Sequence, residues 1–298
     1  MLTLLLGTDW IANRNKVLSM IAQDVSNEKS GVIYMVPELV SHDTERRLCA
    51  VAGDTTSRFA EVLTFTRLAK RVADAAGYGT PECLDNGGRV VAMASATRQL
   101  HSKLKAYASV ETRPDFLTGL LDAVDEFKRC CISPTDLQEA AKRTEGSFSQ
   151  KLEELALILE AYNAICAQGK RDPRDQMTWL LEQLEDSEFA RQHSFYVDGF
   201  PDFTRQHTAI LEHLITESDS VVVSLNCDCL DSKNPAFEKA GATAGELWRL
   251  AKETGVPTQI STVPQEDKGI QSVLHHPLSI CCSSRWGDLP TLFPIDCH

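Results

Sequence analysis

Leu2-Thr3-Leu4-Leu5-Leu6-Gly7-Thr8-Asp9-Trp10-Ile11-Ala12-Asn13-Arg14 is the stretch on which the fold turns. Residues 2–7 are a continuous apolar run, which suits a strand covered on both faces, as in a parallel sheet. A helical pattern follows over about 13–27, with Val17, Leu18, Ile21 and Val25 recurring on one face. The run is too short for a bilayer span and lacks a basic leader, so a buried strand explains it better than a signal peptide.

Outward from this unit the alternation repeats. Val32-Ile33-Tyr34-Met35-Val36 is a second apolar run, stopped by Pro37, and Ser41 is placed to N-cap the helix after it. Glu61-Val62-Leu63-Thr64 is a third short strand, followed by a helix over about 66–76 that Gly77 ends. Strand and helix alternating at this spacing predict a doubly wound α/β fold, a parallel sheet with helices on both faces. The pattern changes after Gly79. Windows 88–110, 115–129, 135–143, 147–167 and 173–186 are all helical, and Pro114, Pro134 and Pro173 stand at helix starts, where a missing N–H costs nothing. Strands return at 194–199, 220–225 and 257–261, with helices over 203–216 and 243–254. The expected organisation is therefore an α/β part at 1–80, an all-α insertion at 81–190, a second α/β part at 191–265, and an irregular tail at 266–298. The tail has no periodicity or caps, and fits either a truncated or frame-shifted sequence or a flexible terminus.

Composition excludes several classes. Hydrophobic residues make up 43% and charged residues 24%, which is ordinary for a globular chain. A net charge of -12 leaves no bulk basic footprint for nucleic acid, although a larger assembly can still line one channel with arginine. The ten cysteines form no C-x-x-C pair, so most are expected to be buried small hydrophobes in a reducing cytoplasm, and no metal site is expected.

The first strand–helix turn is where a phosphate-binding loop would lie. That chemistry needs G-x-x-x-x-G-K-[ST]: glycines for the anion nest, a lysine for the β- and γ-phosphates, and a hydroxyl for Mg²⁺. Gly7 is in place, but Ala12 stands for the second glycine, Asn13 for the lysine and Arg14 for the hydroxyl. A hydrolytic partner strand would end in Asp-Glu. Tyr196-Val197-Asp198-Gly199 has the aspartate, with Gly199 at the glutamate position. Asp198 reads either as a vestigial metal ligand or as a strand-end carboxylate holding a neighbouring loop.

Tyr34-Met35-Val36-Pro37-Glu38, Thr64-Phe65-Thr66-Arg67-Leu68-Ala69, Glu126-Phe127-Lys128-Arg129 and Tyr196-Val197-Asp198-Gly199-Phe200 occur in an order that resembles one family. They look like the N-terminal part of AddB (RexB-like) subunits of the bacterial AddAB helicase–nuclease, a degenerate UvrD-like superfamily 1 helicase domain, which implies an α/β fold of the P-loop (RecA-like) kind interrupted by an all-α insertion. The resemblance covers about residues 1–265. It implies a part in double-strand-break repair by homologous recombination, an AddA-like partner in a heterodimer, and single- or double-stranded DNA ends as ligand, with no membrane. Full-length members carry a nuclease with an iron–sulfur cluster and Mg²⁺ further along. This chain's cysteines do not match that cluster and no cofactor is expected in it.

In such helicases the single strand runs over loops at the carboxyl ends of the strands. Here those loops supply Glu38 and Ser41, then Phe65, Thr66 and Arg67, then Phe200 and Phe203. The aromatic rings can stack on bases or pack under helices, and Arg67 can meet a phosphate or a guanine edge or be a plain surface residue. Three readings remain open: a non-hydrolysing helicase-like module that binds or scans single-stranded DNA, an ATP-binding domain with a deviant P-loop, and a structural scaffold for the AddA-like subunit.

Overall fold

The computed structural model describes residues 1–77, 79, 81–107 and 113–264. The expected tail at 266–298, with Cys281, Cys282 and Cys297, lies outside the described residues.

Six strands form one all-parallel sheet: β1 (Leu2–Gly7), β2 (Val32–Met35), β3 (Ala60–Leu63), β4 (Ser194–Val197), β5 (Val221–Asn226) and β6 (Thr258–Thr262), in the order β3-β2-β4-β5-β1-β6. This is the parallel α/β sheet expected from the alternation, and it is consistent with the RecA-like kind that the resemblance implies. β5 lies between β1 and β4, so the strand ends carrying Gly7 and Asp198 face the same edge, separated by Asn226. The period-2 pattern sorts the core. Leu2, Leu4, Leu6, Ile33 and Met35 face one side, and Leu5, Tyr34, Val36 and Val222 the other.

Helices cover both faces. α1 (Trp10–Ser26) and α2 (Ser41–Ala52) pack on the Tyr34 side through Val17, Leu18, Ile21 and Leu48. The opposite face takes α3 (Phe65–Ala75) through Leu68 and Val72. The insertion is α4 (Asn86–Gln99), α5 (Pro114–Arg129), α6 (Pro134–Lys142) and α7 (Gly146–Ala167), with a core of its own that includes Met93, Leu121, Leu159 and Tyr162. The segments leading into and out of it are tied at one point. Leu84 N donates to Arg171 O at 2.8 Å and Arg171 N donates to Glu82 O at 2.9 Å. After a 3-10 turn at Pro173–Asp175 comes α8 (Gln176–Glu185), then α9 (Arg205–Glu217) and α10 (Glu238–Glu253).

Several expectations need correction. Periodicity groups α8 with the insertion, yet Trp179, Leu180 and Leu184 are buried in the sheet core. Helical period cannot say which of two cores a helix serves. Ser41 is not an N-cap: Val40 holds that position without a side-chain bond, and Ser41 Oγ donates back to Glu38 O at 3.1 Å. α4 stops at Gln99, well short of 110. Of the seven described cysteines only Cys166 and Cys227 are buried, and all seven are free thiols. The others sit on outer helix faces, at helix ends and in loops. Among the described residues no helix is long and apolar enough to cross a membrane.

Candidate functional site

The turn between β1 and α1 is only Thr8 and Asp9. The helix starts at Trp10, three residues before the hydrophobic periodicity signals it, because Asp9 is a strong N-cap. Its Oδ1 accepts from Ile11 N at 2.8 Å and from Ala12 N at 3.4 Å. Free amides at a helix start are the usual anion-binding feature; here the chain's own carboxylate engages them. Residues 10–12, read from sequence as loop, are the first helical turn.

Asn13 stands where a phosphate-binding lysine would, and it turns inward. It is fully buried, and its Nδ2 donates to Gly7 O at 2.9 Å, to Leu225 O at 3.3 Å and to Asn226 Oδ1 at 3.0 Å. The side chain thus sews β1 to β5, and a Cβ at Gly7 would run into Asn13 Oδ1. Gly7 is therefore needed for Asn13 rather than for a loop around an anion.

Arg14 is 7% exposed and Asp198 4% exposed. Arg14 Nε donates to Asp198 Oδ2 at 3.2 Å, and the Tyr34 hydroxyl donates to the same oxygen at 3.0 Å. Burial, reinforced by the neighbouring Asp198 charge, pushes the Tyr34 phenol far above its ordinary range, so it stays a neutral donor. The guanidinium supplies the positive charge that a metal would bring to such an aspartate. Gly199 has φ +81°, and a Cβ there would lie 3.1 Å from Arg14 Nη2. Replacing Gly199 with the glutamate of a hydrolytic motif would strain the backbone and crowd the guanidinium. The two motif departures are one interlocking arrangement.

A cavity of about 220 Å³ opens beside this pair. Trp10 and Phe200 supply aromatic wall, and Ser224 and Asn226 supply polar wall. Trp10 is half-exposed and lies over the Arg14 guanidinium, 5.3 Å from ring centroid to Cζ.

The loops after β2, β3 and β4 bring most of the other candidate residues together. Exposed Glu38 accepts from Thr64 Oγ1 at 3.0 Å. Thr66 and Arg67 are exposed in the first turn of α3, and Arg67 Nη1 is 2.6 Å from Glu45 Oε1. Ser41 is buried and faces its own loop. Phe65 is 5% exposed, stacked on His207 with centroids 4.1 Å apart and met edge-on by Phe200 at 5.5 Å. Its ring has no free face for a base. Phe200 and half-buried Phe203 continue the cluster at 5.3 Å. Burial lowers the pKa of His207, opposed by Asp202, which keeps its ring a neutral stacking partner.

Comparison with known sequences decides the family. The family described as "ADDB, N-terminal" matches residues 5–276, most of the chain. The chain belongs to the AddB N-terminal family. Its relatives include the B subunit of the ATP-dependent helicase/deoxyribonuclease of Acetivibrio thermocellus, 27% identical over 78% of this chain and 21% of that protein. The protein of the same name from a Thermoanaerobacter species is 31% identical over 66% of this chain and 17% of its own length. That of Oceanobacillus iheyensis is 26% identical over 86% and 23%. The AddB-family chain here spans about one fifth of the length of the curated relatives it matches.

The sequence marks Gly7, Ala12, Asn13, Arg14, Asp198 and Gly199 as one region, and they do converge. It does not single out Tyr34, Ser224 or Asn226 as members. Tyr34 carries a signal: a phenol inside an apolar strand requires a buried acceptor. Ser224 and Asn226, at the end of β5, carry none. Among the described residues no group of three or more His, Cys, Asp or Glu side chains is gathered to hold a metal ion.

Proposed function

We propose that this chain is a non-hydrolysing, helicase-like module of an AddB-type subunit, which holds single-stranded DNA beside an AddA-like partner that works on double-strand ends. One observation carries the reading: the places that a Mg·nucleotide would use are filled by the chain's own side chains. Asp9 takes the helix-start amides, Asn13 bonds the strand ends in place of a lysine, and Arg14 neutralises Asp198 in place of a metal. These residues do not fit a Mg·nucleotide, so no hydrolytic step is assigned to them. The names of the relatives support the helicase–nuclease setting.

The edge formed by Glu38, Thr66, Arg67, Phe200 and Phe203 is the proposed strand-contacting surface, with Phe65 and Ser41 supporting it from beneath. In an assembled two-subunit complex carrying Arg67→Ala and Phe203→Ala, recognition of DNA sequence during unwinding should fall while unwinding itself persists. Unchanged recognition would contradict the assignment. The scaffold reading has support of its own: Arg67 is already paired to Glu45 and the chain carries a net charge of -12. Photocrosslinking the translocating strand separates the two. Adducts at 38–67 or 200–203 favour DNA contact, and their absence favours scaffolding.

A further inference from the structure

The cavity beside Arg14 and Asp198 has more hydrogen-bond donors than the protein uses. Ser224 is 4% exposed, yet its Oγ is buried without a partner among the described residues. A buried hydroxyl left unbonded is costly and asks for an occupant. Arg14 gives Nε to Asp198 and lays Nη2 over Gly199, where the missing side chain leaves room. A guanidinium has five N–H donors, and the bond to Asp198 takes the one on Nε. Asn226 commits its Oδ1 to Asn13, which leaves its amide N–H₂ as the group to offer. The one carboxylate on the wall, Asp198, is already held by Arg14 and Tyr34. Such a donor-rich set matches a phosphate oxygen and needs no metal. At the mouth stands Trp10, 51% exposed, with one face on Arg14 and the other open.

We propose that this cavity seats one nucleotide unit of a DNA single strand, its phosphodiester against Arg14, Ser224 and Asn226 and its base on the outer face of Trp10. The inference rests on the reading of the chain as a DNA-holding module and gives that module a specific grip. One phosphate contact on an acidic chain makes binding weak, with a shallow salt slope.

A fluorescein-labelled oligothymidylate titrated into the full 298-residue chain in EDTA, followed by anisotropy, tests it. Saturable binding is expected. Trp10→Ala and Ser224→Ala should each weaken it at least about fivefold, the lower end of base–aromatic stacking for Trp10. Neither side chain is bonded to Asp198, and circular dichroism checks folding. Inorganic phosphate and thymidine monophosphate are the competing arms. If either binds while the strand does not, the site takes free anions and the proposal falls. If the strand binds equally well to both variants, the grip lies elsewhere on the chain, which overturns this inference and leaves the DNA-holding reading standing. If no strand binds at all, both fall.

Discussion

Asn13 illustrates how a residue can look like a loss in sequence and a gain in structure. Three hydrogen bonds leave its amide nitrogen inside the sheet edge. Asn13→Ala takes the side-chain donor from Gly7 O, while Leu225 O keeps Cys227 N, and a loss of about 1–3 kcal/mol is expected in a urea melt. A variant as stable as the parent would show that the amide contributes nothing there. Asp9 acts one turn earlier. Asp9→Ala should cost about 1 kcal/mol through loss of the cap, read in the same melt. The departures at 12–14 are visible in the sequence, since a motif with fixed spacing exposes every substitution. What replaces them is not visible, because the partners are remote. Arg14 and Asp198 are 184 positions apart, and Asn13 and Leu225 are 212 apart. Phe65 is ambiguous in sequence for a related reason: its neighbours Phe200 and His207 come from the far side of the insertion.

Among the elements, the insertion depends on one carboxylate. Asp172 follows the outgoing segment and its side chain is wholly buried. It accepts from Tyr162 Oη at 2.8 Å, Arg174 N at 2.9 Å, Lys128 Nζ at 3.2 Å and Arg89 Nη2 at 3.3 Å, which joins α4, α5 and α7. Burial pushes its pKa up, but Lys128, the Arg174 amide, the Tyr162 hydroxyl and Arg89 outweigh that and hold the carboxyl below its ordinary value. A folded-state pKa below the unfolded one gives stability that is present above about pH 4 and is lost as pH falls through the folded value. Asp172→Asn removes a charged acceptor from Arg89 and Lys128, which keep Asp125 and Asp175 as partners, so a loss of about 1.5–3 kcal/mol at neutral pH is expected. Its thermal midpoint should also vary less with pH below about 4 than the parent's. A midpoint that falls with acid equally in both proteins would remove Asp172 from this role. The sequence does not announce this network, because helical windows show which faces are apolar and not which charges meet between them. The windows do place the helices themselves, with Pro114, Pro134 and Pro173 at the first positions as expected.

For the whole molecule, the parallel sheet is legible because its strands are covered on both faces and therefore appear as unbroken apolar runs. β6 is the least distinct, and its structure explains why. Among the described residues it pairs only with β1, and Ile260 is 44% exposed. Leu39, at the carboxyl edge, is fully exposed. A strand at the edge of the described sheet and bare apolar side chains favour association, so the chain alone should elute from gel filtration with a concentration-dependent apparent mass. Ile260→Lys should reduce that dependence, and a clean monomer at all concentrations would argue against it. At the same scale, the proposed function has Asp9, Asn13 and Arg14 fill the positions that a Mg·nucleotide would use. Calorimetric titration of Mg·ATP into the chain probes that directly. A self-filled edge gives no saturable, metal-dependent heat; micromolar binding that requires Mg²⁺ and disappears in Asp198→Ala would contradict it.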